Sequence, residues 1–485
     1  MLSILTRTPA SNDHVASSMG SNTKTTAQML LRQSRSRQAR QAIVSLAVGL
    51  CIYHMALWLM GRRRCTSLDS SSSTEPPLSS LSLTEQQCRD SFPGLMQSID
   101  DVVAEGPFDV RDTGASGPLQ GRIKDGKIYV VNAQRRSDLS AEMLNSRTAA
   151  LHQLHRAIIT SPEPIPDTVF TINFQDSPLS TGASIGYSRA ADPHLRGGGG
   201  GQHDSGRRSF LMPHFSFWAW PLRHITGGTF DEAAAAIDGL EARYRGGGGD
   251  GGGWKDKVPT AVWRGTAHFQ SALQPGLRRG LLKTAGHDGG GGAGWADVLP
   301  LNGTTALPIH DFCRHRYVIH TEGVAYSGRF QLLQMCRSVV LTPPLMWVQH
   351  TSHLLRPVFS RSLLGGGGGG GGGASRKGAA VAERTRRSWP VRYAASEANI
   401  VFVAPDWSDL AATVAWLEAH PEVAEGIATR QRQLFVGGGY FSPAAETCYW
   451  RALVRGWGSV ARVSEDVWRG KDGVRFEIFS LKNEL

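Results

Sequence analysis

The chain is short of cysteine, short of acid at one end, and almost without long apolar runs. Each shortage removes a class of protein. Six cysteines in 485 residues include Cys51, which lies inside an apolar stretch. The other five (Cys65, Cys88, Cys313, Cys336 and Cys448) close at most two bridges, which excludes a disulfide-scaffolded fold. Charged residues at 19% and hydrophobic ones at 40% exclude wholesale disorder and allow a sizeable core. The net charge of +11 is mostly local, since residues 1–64 hold nine Lys or Arg against the single acid Asp13. The rest is near neutral, which argues against a nucleic-acid partner.

One long apolar run does exist. Ala42–Met60 is nineteen residues without a formal charge. At about 1.5 Å per residue, a helix of that length nearly spans the roughly 30 Å hydrocarbon core of a bilayer. A cleaved signal peptide fits poorly, because about forty residues precede the run and Arg62–Arg64 follow it without a small-residue cleavage site. Six basic residues stand before the run and three after it. That asymmetry predicts a cytosolic tail (1–41), a signal anchor (42–60) and a luminal bulk, a type II arrangement in the Golgi or endoplasmic reticulum. Residues 61–105 form a Ser/Thr/Pro-rich stem. The final Lys482-Asn483-Glu484-Leu485 differs from a K-D-E-L retrieval signal at one position, and Asn302-Gly303-Thr304 is a glycosylation sequon usable in a lumen.

Glycine is abundant instead, 57 residues, many in runs such as Gly197–Gly201 and Gly365–Gly373. Homopolymer glycine buries no side chain, so these runs read as surface insertions in an otherwise ordinary composition. Between Arg316 and Leu341 the pattern is strand (Arg316–His320), helix (Gly328–Arg337, with Ser327 as N-cap) and strand (Ser338–Leu341). Strand, helix, strand implies a parallel sheet. A second unit follows: a strand at Asn399–Val403, a helix capped by Ser408, and another helix started by Pro421. Val258–Trp263 and Thr168–Asn173 are further strands, so the fold class is α/β.

Ligands of open α/β sheets bind at the carboxyl ends of strands. Three such ends carry unusual residues here. Asp176 follows the first strand, Arg264-Gly265-Thr266 ends the second, and Glu322-Gly323, Ser327, Arg329 and Phe330 follow the third. Two guanidiniums beside a helix start suit a diphosphate, whose oxygens arginine meets in a planar fork. For Asp176 the plain alternative is a turn-starting Asp-Ser-Pro.

The blocks PDTVFTINFQDSP (166–178), FLMPHFSFWAWP (210–221), VPTAVWRGTAHF (258–269) and HRYVIHTEGVAYSGRFQLLQMCRSVVL (315–341) resemble glycosyltransferase family 90. NIVFVAPDWSDL (399–410) and CYW (448–450) complete the match, in the family's order. The family contains the capsule-associated-protein-like and protein O-glucosyltransferases, and the anchor and stem are similar to its fungal branch. The resemblance implies an inverting transferase of GT-B-like fold, two Rossmann-like domains facing a cleft. They would be an acceptor-side domain at 106–255 and a donor-binding domain at 256–435, with C-terminal helices at 436–485 packing back on the first. It makes Asp176 the catalytic base and sets Arg264 and Arg329 on the donor diphosphate, among the donor-binding residues Gly265, Thr266, Glu322, Gly323, Ser327 and Phe330. UDP-xylose and UDP-glucose are the donors it suggests first, with a glycan or protein hydroxyl as acceptor. The glycine-broken segment after His268-Phe269 departs from the family and leaves the donor sugar open.

No Asp-x-Asp pair occurs in the chain, so arginines and not a metal ion are expected to neutralise the leaving diphosphate, and no cofactor is expected. Asp167 precedes its strand and reads as structural. Gly182-Ala-Ser184-Ile-Gly186 satisfies G-x-S-x-G but lacks the strand-to-helix context of a hydrolase elbow. His310, Cys313 and His315 have no second cluster to complete a zinc site. The aromatic segment Phe210–Trp220 serves either as core or as a surface that stacks on sugar. The rival functions are a catalytically silent glycan- or nucleotide-binding protein on the same fold and a luminal hydrolase using Ser184.

Overall fold

The computed structural model describes residues 78–179, 182–195, 208–222, 224–225, 228–244, 252–286, 294–365 and 376–482. The predicted tail, the membrane span Ala42–Met60, the stem up to residue 77, most of the glycine runs and residues 483–485 lie outside them. Among the described residues no helix is long and apolar enough to cross a membrane.

Two six-stranded sheets and a short ribbon are built from the following strands. The first half supplies β1 (Leu119–Lys124), β2 (Lys127–Asn132), β3 (Thr168–Ile172), β4 (Ala183–Gly186), β5 (Arg189–Ala190) and β6 (Arg208–Leu211). Then come β7 (Val258–Gly265), β8 (Ala296–Pro300), β9 (His315–Ile319), β10 (Val339–Thr342), β11 (Trp347–Val348), β12 (Pro357–Phe359), β13 (Ile400–Phe402) and β14 (Val474–Arg475).

The sheet β12-β13-β10-β9-β7-β8 is parallel throughout. Both of its faces are covered, which is why its strands are continuous apolar runs instead of alternating ones. Val262, Val318, Val340 and Ile400 point to one side, against Phe230, Ile237 and Leu240 of helix α3 (Phe230–Ala242). The residues between them, such as Trp263, Ile319 and Leu341, point to the other. There they meet α4 (Leu277–Thr284), α7 (Leu410–Ala419) and α8 (Pro421–Arg432). Mixed α/β architecture with parallel strands is therefore present, as the sequence predicts.

The other sheet, β14-β2-β1-β3-β4-β6, is mixed. Strands β3, β4 and β6 are parallel, and β1, β2 and β14 add antiparallel pairs. Asp125 (φ 50°) and Gly126 (φ 67°) make the tight turn between β1 and β2, a hairpin signal that the reading of the sequence passed over. Helix α2 (Ala141–Ile159) and the C-terminal α9 (Pro443–Val460) share this sheet's core through Leu151, Leu154, Tyr449, Leu453 and Trp457. A disulfide from Cys88, in α1 (Glu85–Ser91), to Cys448 holds α9 from the opposite end of the chain.

Two local expectations need correction. The helix predicted from Gly328 to Arg337 is only α5 (Phe330–Gln334), and its N-cap is Arg329 without a side-chain cap, not Ser327. Bonds from Met335 and Cys336 back to Leu332 and Leu333 tighten the chain there, bringing Cys336 to its disulfide partner Cys313. Ser408 likewise does not cap α7: its hydroxyl bonds Asp406 at 2.7 Å, beside Trp407 at φ 64°.

The two sheets are stitched together near the carboxyl ends of their parallel strands. Strand β5 pairs antiparallel with β11, and the Ala191 N–H donates to Met346 O at 2.8 Å. Arg387 of α6 (Arg376–Ser388) reaches buried Asp192, Nη2 to Oδ2 2.7 Å.

Candidate active site

The loop after β3 is closed by one side chain. Asn173 Nδ2 donates to Ser177 O at 2.8 Å, and its Oδ1 accepts the Gln175 N–H at 3.1 Å. Ser188 Oγ donates to the Asp176 carbonyl at 2.9 Å. So held, the Asp176 carboxyl keeps open surface while sitting in crowded surroundings. Desolvation pushes its pKa up, the nearby Glu142 charge adds to this, and a hydrogen bond from the Tyr326 hydroxyl opposes it. An accessible carboxyl with raised basicity has the character of a proton acceptor. Asp167 lies at the other end of β3, exposed, where its Oδ1 accepts the Asp125 N–H at 2.9 Å and closes the hairpin turn.

Tyr326 belongs to the loop after β9, so a residue of the parallel-sheet half contacts Asp176 of the mixed-sheet half. Burial drives the Tyr326 pKa well above the ordinary phenol value, and it therefore remains a donor. Its ring lies 5.9 Å from that of Tyr187 and 5.4 Å from that of His214. His214 is kept neutral by burial, its pKa pushed down to about 3. The Ser216 N–H donates to its Nδ1 at 3.1 Å, which assigns the ring proton to Nε2. Gly328 faces that ring edge so closely that a Cβ there would lie 2.7 Å from Nε2, so only glycine fits. Most of Phe210–Phe217 is buried and serves as core. Half-buried Trp218 is stacked on His152 at 5.2 Å.

The same loop and the start of α4 carry the cationic part of the site. Arg278, on the first turn of α4, is buried; its Nε donates to Glu322 O at 3.0 Å and its Nη1 to Thr266 O at 2.9 Å. The Arg329 guanidinium lies over the Phe312 ring at 5.9 Å and makes no hydrogen bond or ion pair among the described residues. Burial lowers the pKa of both to about 10, and for Arg278 the Arg329 charge is a second cause. Buried His320 is pushed down to about 3, first by desolvation and then by these two cations. Two guanidiniums thus stand together with no carboxylate paired to them among the described residues, a potential that an anion would relieve.

The remaining predicted residues divide. Gly323 touches both arms of the loop, since a Cβ there would meet Tyr326 O at 3.0 Å and Arg278 Nη2 at 3.4 Å. Thr266 supplies a carbonyl to Arg278. Glu322 is buried, with a pKa raised to about 8 by desolvation, and its Oε1 accepts the Met346 and Trp347 N–H groups, both at 2.8 Å. It therefore fixes the start of β11. Ser327 accepts the Phe330 N–H on its carbonyl at 3.1 Å, while Phe330 is core, packed on His320 at 4.2 Å. Gly265 lets the Trp263 ring close over it.

Arg264, unlike the other two arginines, is closed on a carboxylate. Its guanidinium pairs with Asp297 at 2.8 and 3.0 Å and donates to the carbonyls of Thr305, Asp297 and Trp263. Neither Arg278, which lies a helix beyond its strand end, nor Tyr326, which sits between Gly323 and Ser327 in the loop after β9, is among the residues that the sequence singles out. Arg278 lies in the helix after β7, where the pair Arg278-Arg279 was the available signal. Ser184 lies inside β4 and not at a strand-to-helix turn, so it cannot form a nucleophile elbow. The Cys313 sulfur is bonded to Cys336, and neighbouring Glu241 pairs with Lys257 at 2.7 Å.

Compared with known families, residues 115–360 match the model described as glycosyl transferase family 90, a stretch holding Asp176, Arg264, Arg278, Tyr326 and Arg329. A search of curated proteins finds no match.

Proposed function

The chain belongs to glycosyl transferase family 90 and is a glycosyltransferase, and from that premise we propose that it is an inverting, metal-independent enzyme using Asp176 as general base. The observation that carries this reading is the Tyr326 contact: the loop ending on Arg329 reaches the exposed carboxyl of Asp176. On this reading base and cations serve one donor–acceptor site.

An acceptor hydroxyl is a weak nucleophile. Asp176 takes its proton as the new bond to the sugar C1 forms, while the bond from C1 to the diphosphate oxygen breaks on the opposite face. The leaving nucleoside diphosphate gains charge, and Arg278 and Arg329 stabilise it more in the transition state than in the ground state. Arg264 supports that wall through Asp297 instead of touching the donor. UDP-xylose or UDP-glucose is the proposed donor. The absence of an Asp-x-Asp pair supports arginines in the place of a metal.

The proposed setting is the lumen of the Golgi or endoplasmic reticulum, anchored by Ala42–Met60. Two disulfides and the exposed sequon at Asn302 suit an oxidising compartment. The test is donor hydrolysis and transfer by the full-length protein in detergent across a panel of nucleotide sugars. Turnover of one donor that Asp176→Asn abolishes supports the reading; donor binding without turnover under any condition would establish a silent binding protein.

A further inference from the structure

Arg329 stands at the start of a helix that cannot hold it alone. Helix α5 (Phe330–Gln334) has five residues, and its N-cap makes no side-chain hydrogen bond. A helix that short has little stability of its own, so contacts from elsewhere in the fold fix where its first turn points. Gln331 supplies one of them. It is buried in an otherwise apolar stretch, where an unpaired amide would be costly. Its Nε2 donates to Ser216 Oγ and lies 3.3 Å from His214 Nδ1. The Ser216 hydroxyl is 2.9 Å from the same nitrogen, which also accepts the Ser216 N–H. With Nδ1 as acceptor, the hydrogen bonds run one way, from the Gln331 amide through the Ser216 hydroxyl to the imidazole.

His214 is itself fixed. Gln153 of α2 donates to its carbonyl at 3.1 Å. The rings of Phe215, Tyr187 and Trp220 stand 4.1, 5.3 and 5.6 Å from its own. The Nε2 edge of the imidazole meets Gly328, and Tyr326 packs against the ring in a T-shaped contact. One ring from the loop after β6 therefore touches Tyr326, Gly328 and Gln331, which flank Arg329 on both sides in the chain. An apolar contact would bury α5 as well, but only directional hydrogen bonds fix its rotation about its own axis. A side chain that meets a ligand needs placement to within about 0.5 Å.

We propose that His214, through Gln331 and Gly328, is a positioning residue for Arg329: it sets the guanidinium at the donor diphosphate without touching the donor itself. The proposal rests on the transferase reading above and adds to it the group that orients one of its cations.

The experiment measures UDP binding to the full-length protein in detergent by calorimetry. Gln331→Leu keeps the size but removes the amide, and should raise the UDP Kd about tenfold, the scale of one buried hydrogen bond. Ser216→Ala deletes only the relay hydroxyl and should raise it about threefold. The same two substitutions are then made on Arg329→Ala. In that background each should change Kd by less than about twofold, because the group they position is gone. A merely structural role predicts the same fold-loss in either background. Equal losses in the two backgrounds, or wild-type affinity in both single variants, would overturn the proposal and leave the transferase reading standing. Should Gln331→Leu fail to fold, the Ser216→Ala comparison decides by itself. Wild-type protein that binds no UDP would remove the proposed donors, and with them the ligand that Arg329 is set to meet.

Discussion

The mixed sheet and the parallel sheet bring opposite charges to the same loop system, and neither charge is neutralised by the other. On the mixed-sheet side, Asp176 has Glu142 as its charged neighbour and a raised pKa. On the parallel-sheet side, Arg278 and Arg329 have each other. Among the described residues no ion pair joins Asp176 to Arg278 or Arg329; a neutral phenol, Tyr326, contacts the carboxyl instead. Arg264 shows the opposite condition, closed on Asp297. A structural arginine brings its anion with it, whereas one meant for a ligand is left lacking it.

The largest effect should come from removing the carboxylate alone. Asp176→Asn keeps shape and should lower kcat by about 10²–10⁴, with donor affinity little changed in a titration. An equal loss of donor affinity would place the carboxyl in donor binding and dissolve the division between the sides. Next, Arg329→Ala should weaken donor binding and reduce kcat by about 10²–10³, the scale for losing one preorganised donor to a developing anion. Arg264→Ala is its counterpart. It should lower thermal stability by about 1–3 kcal/mol, because Asp297 and three carbonyls lose their partner, and leave the folded enzyme's donor affinity near normal. Should Arg264→Ala impair donor binding as deeply as Arg329→Ala without a drop in melting temperature, the contrast between the two arginines would be wrong.

Tyr326→Phe sharpens the comparison by a smaller step. The Tyr326 hydrogen bond holds the Asp176 pKa down against burial, so its loss should raise that pKa further. The acid limb of the kcat/KM profile, where activity disappears as Asp176 is protonated, should then move to higher pH. A limb that stays in place would show that the phenol does not bear on the base. The smallest effect is expected from EDTA, which should leave turnover near its starting value. Loss restored by Mn²⁺ would show that a cation, not the arginine pair, carries the diphosphate.

Much of the parallel sheet was legible because burial on both faces writes strands as unbroken apolar runs. Thus Val258–Trp263, Arg316–His320, Ser338–Leu341 and Asn399–Val403 fall within a residue or two of β7, β9, β10 and β13. The mixed sheet was less legible. Its hairpin depends on the Asp125-Gly126 turn, and β14 is a two-residue strand from the far end of the chain. The helix after Gly328 was overestimated because apolar spacing does not show where a disulfide and the His214 ring force the chain to bend.

By itself the sequence determined the α/β class, the family and the carboxyl at the end of β3, since periodicity and local motifs are carried by neighbouring residues. Which arginine is closed on an anion was decided only by tertiary structure. Asp297 reaches Arg264 across thirty-three residues of chain, on the adjacent strand β8. Arg278 enters the site from a helix, and Tyr326 meets Asp176 from the other sheet. Whether a charge is balanced depends on what folding places within a few ångströms of it, and a buried guanidinium without an anion can be recognised only once that neighbourhood exists.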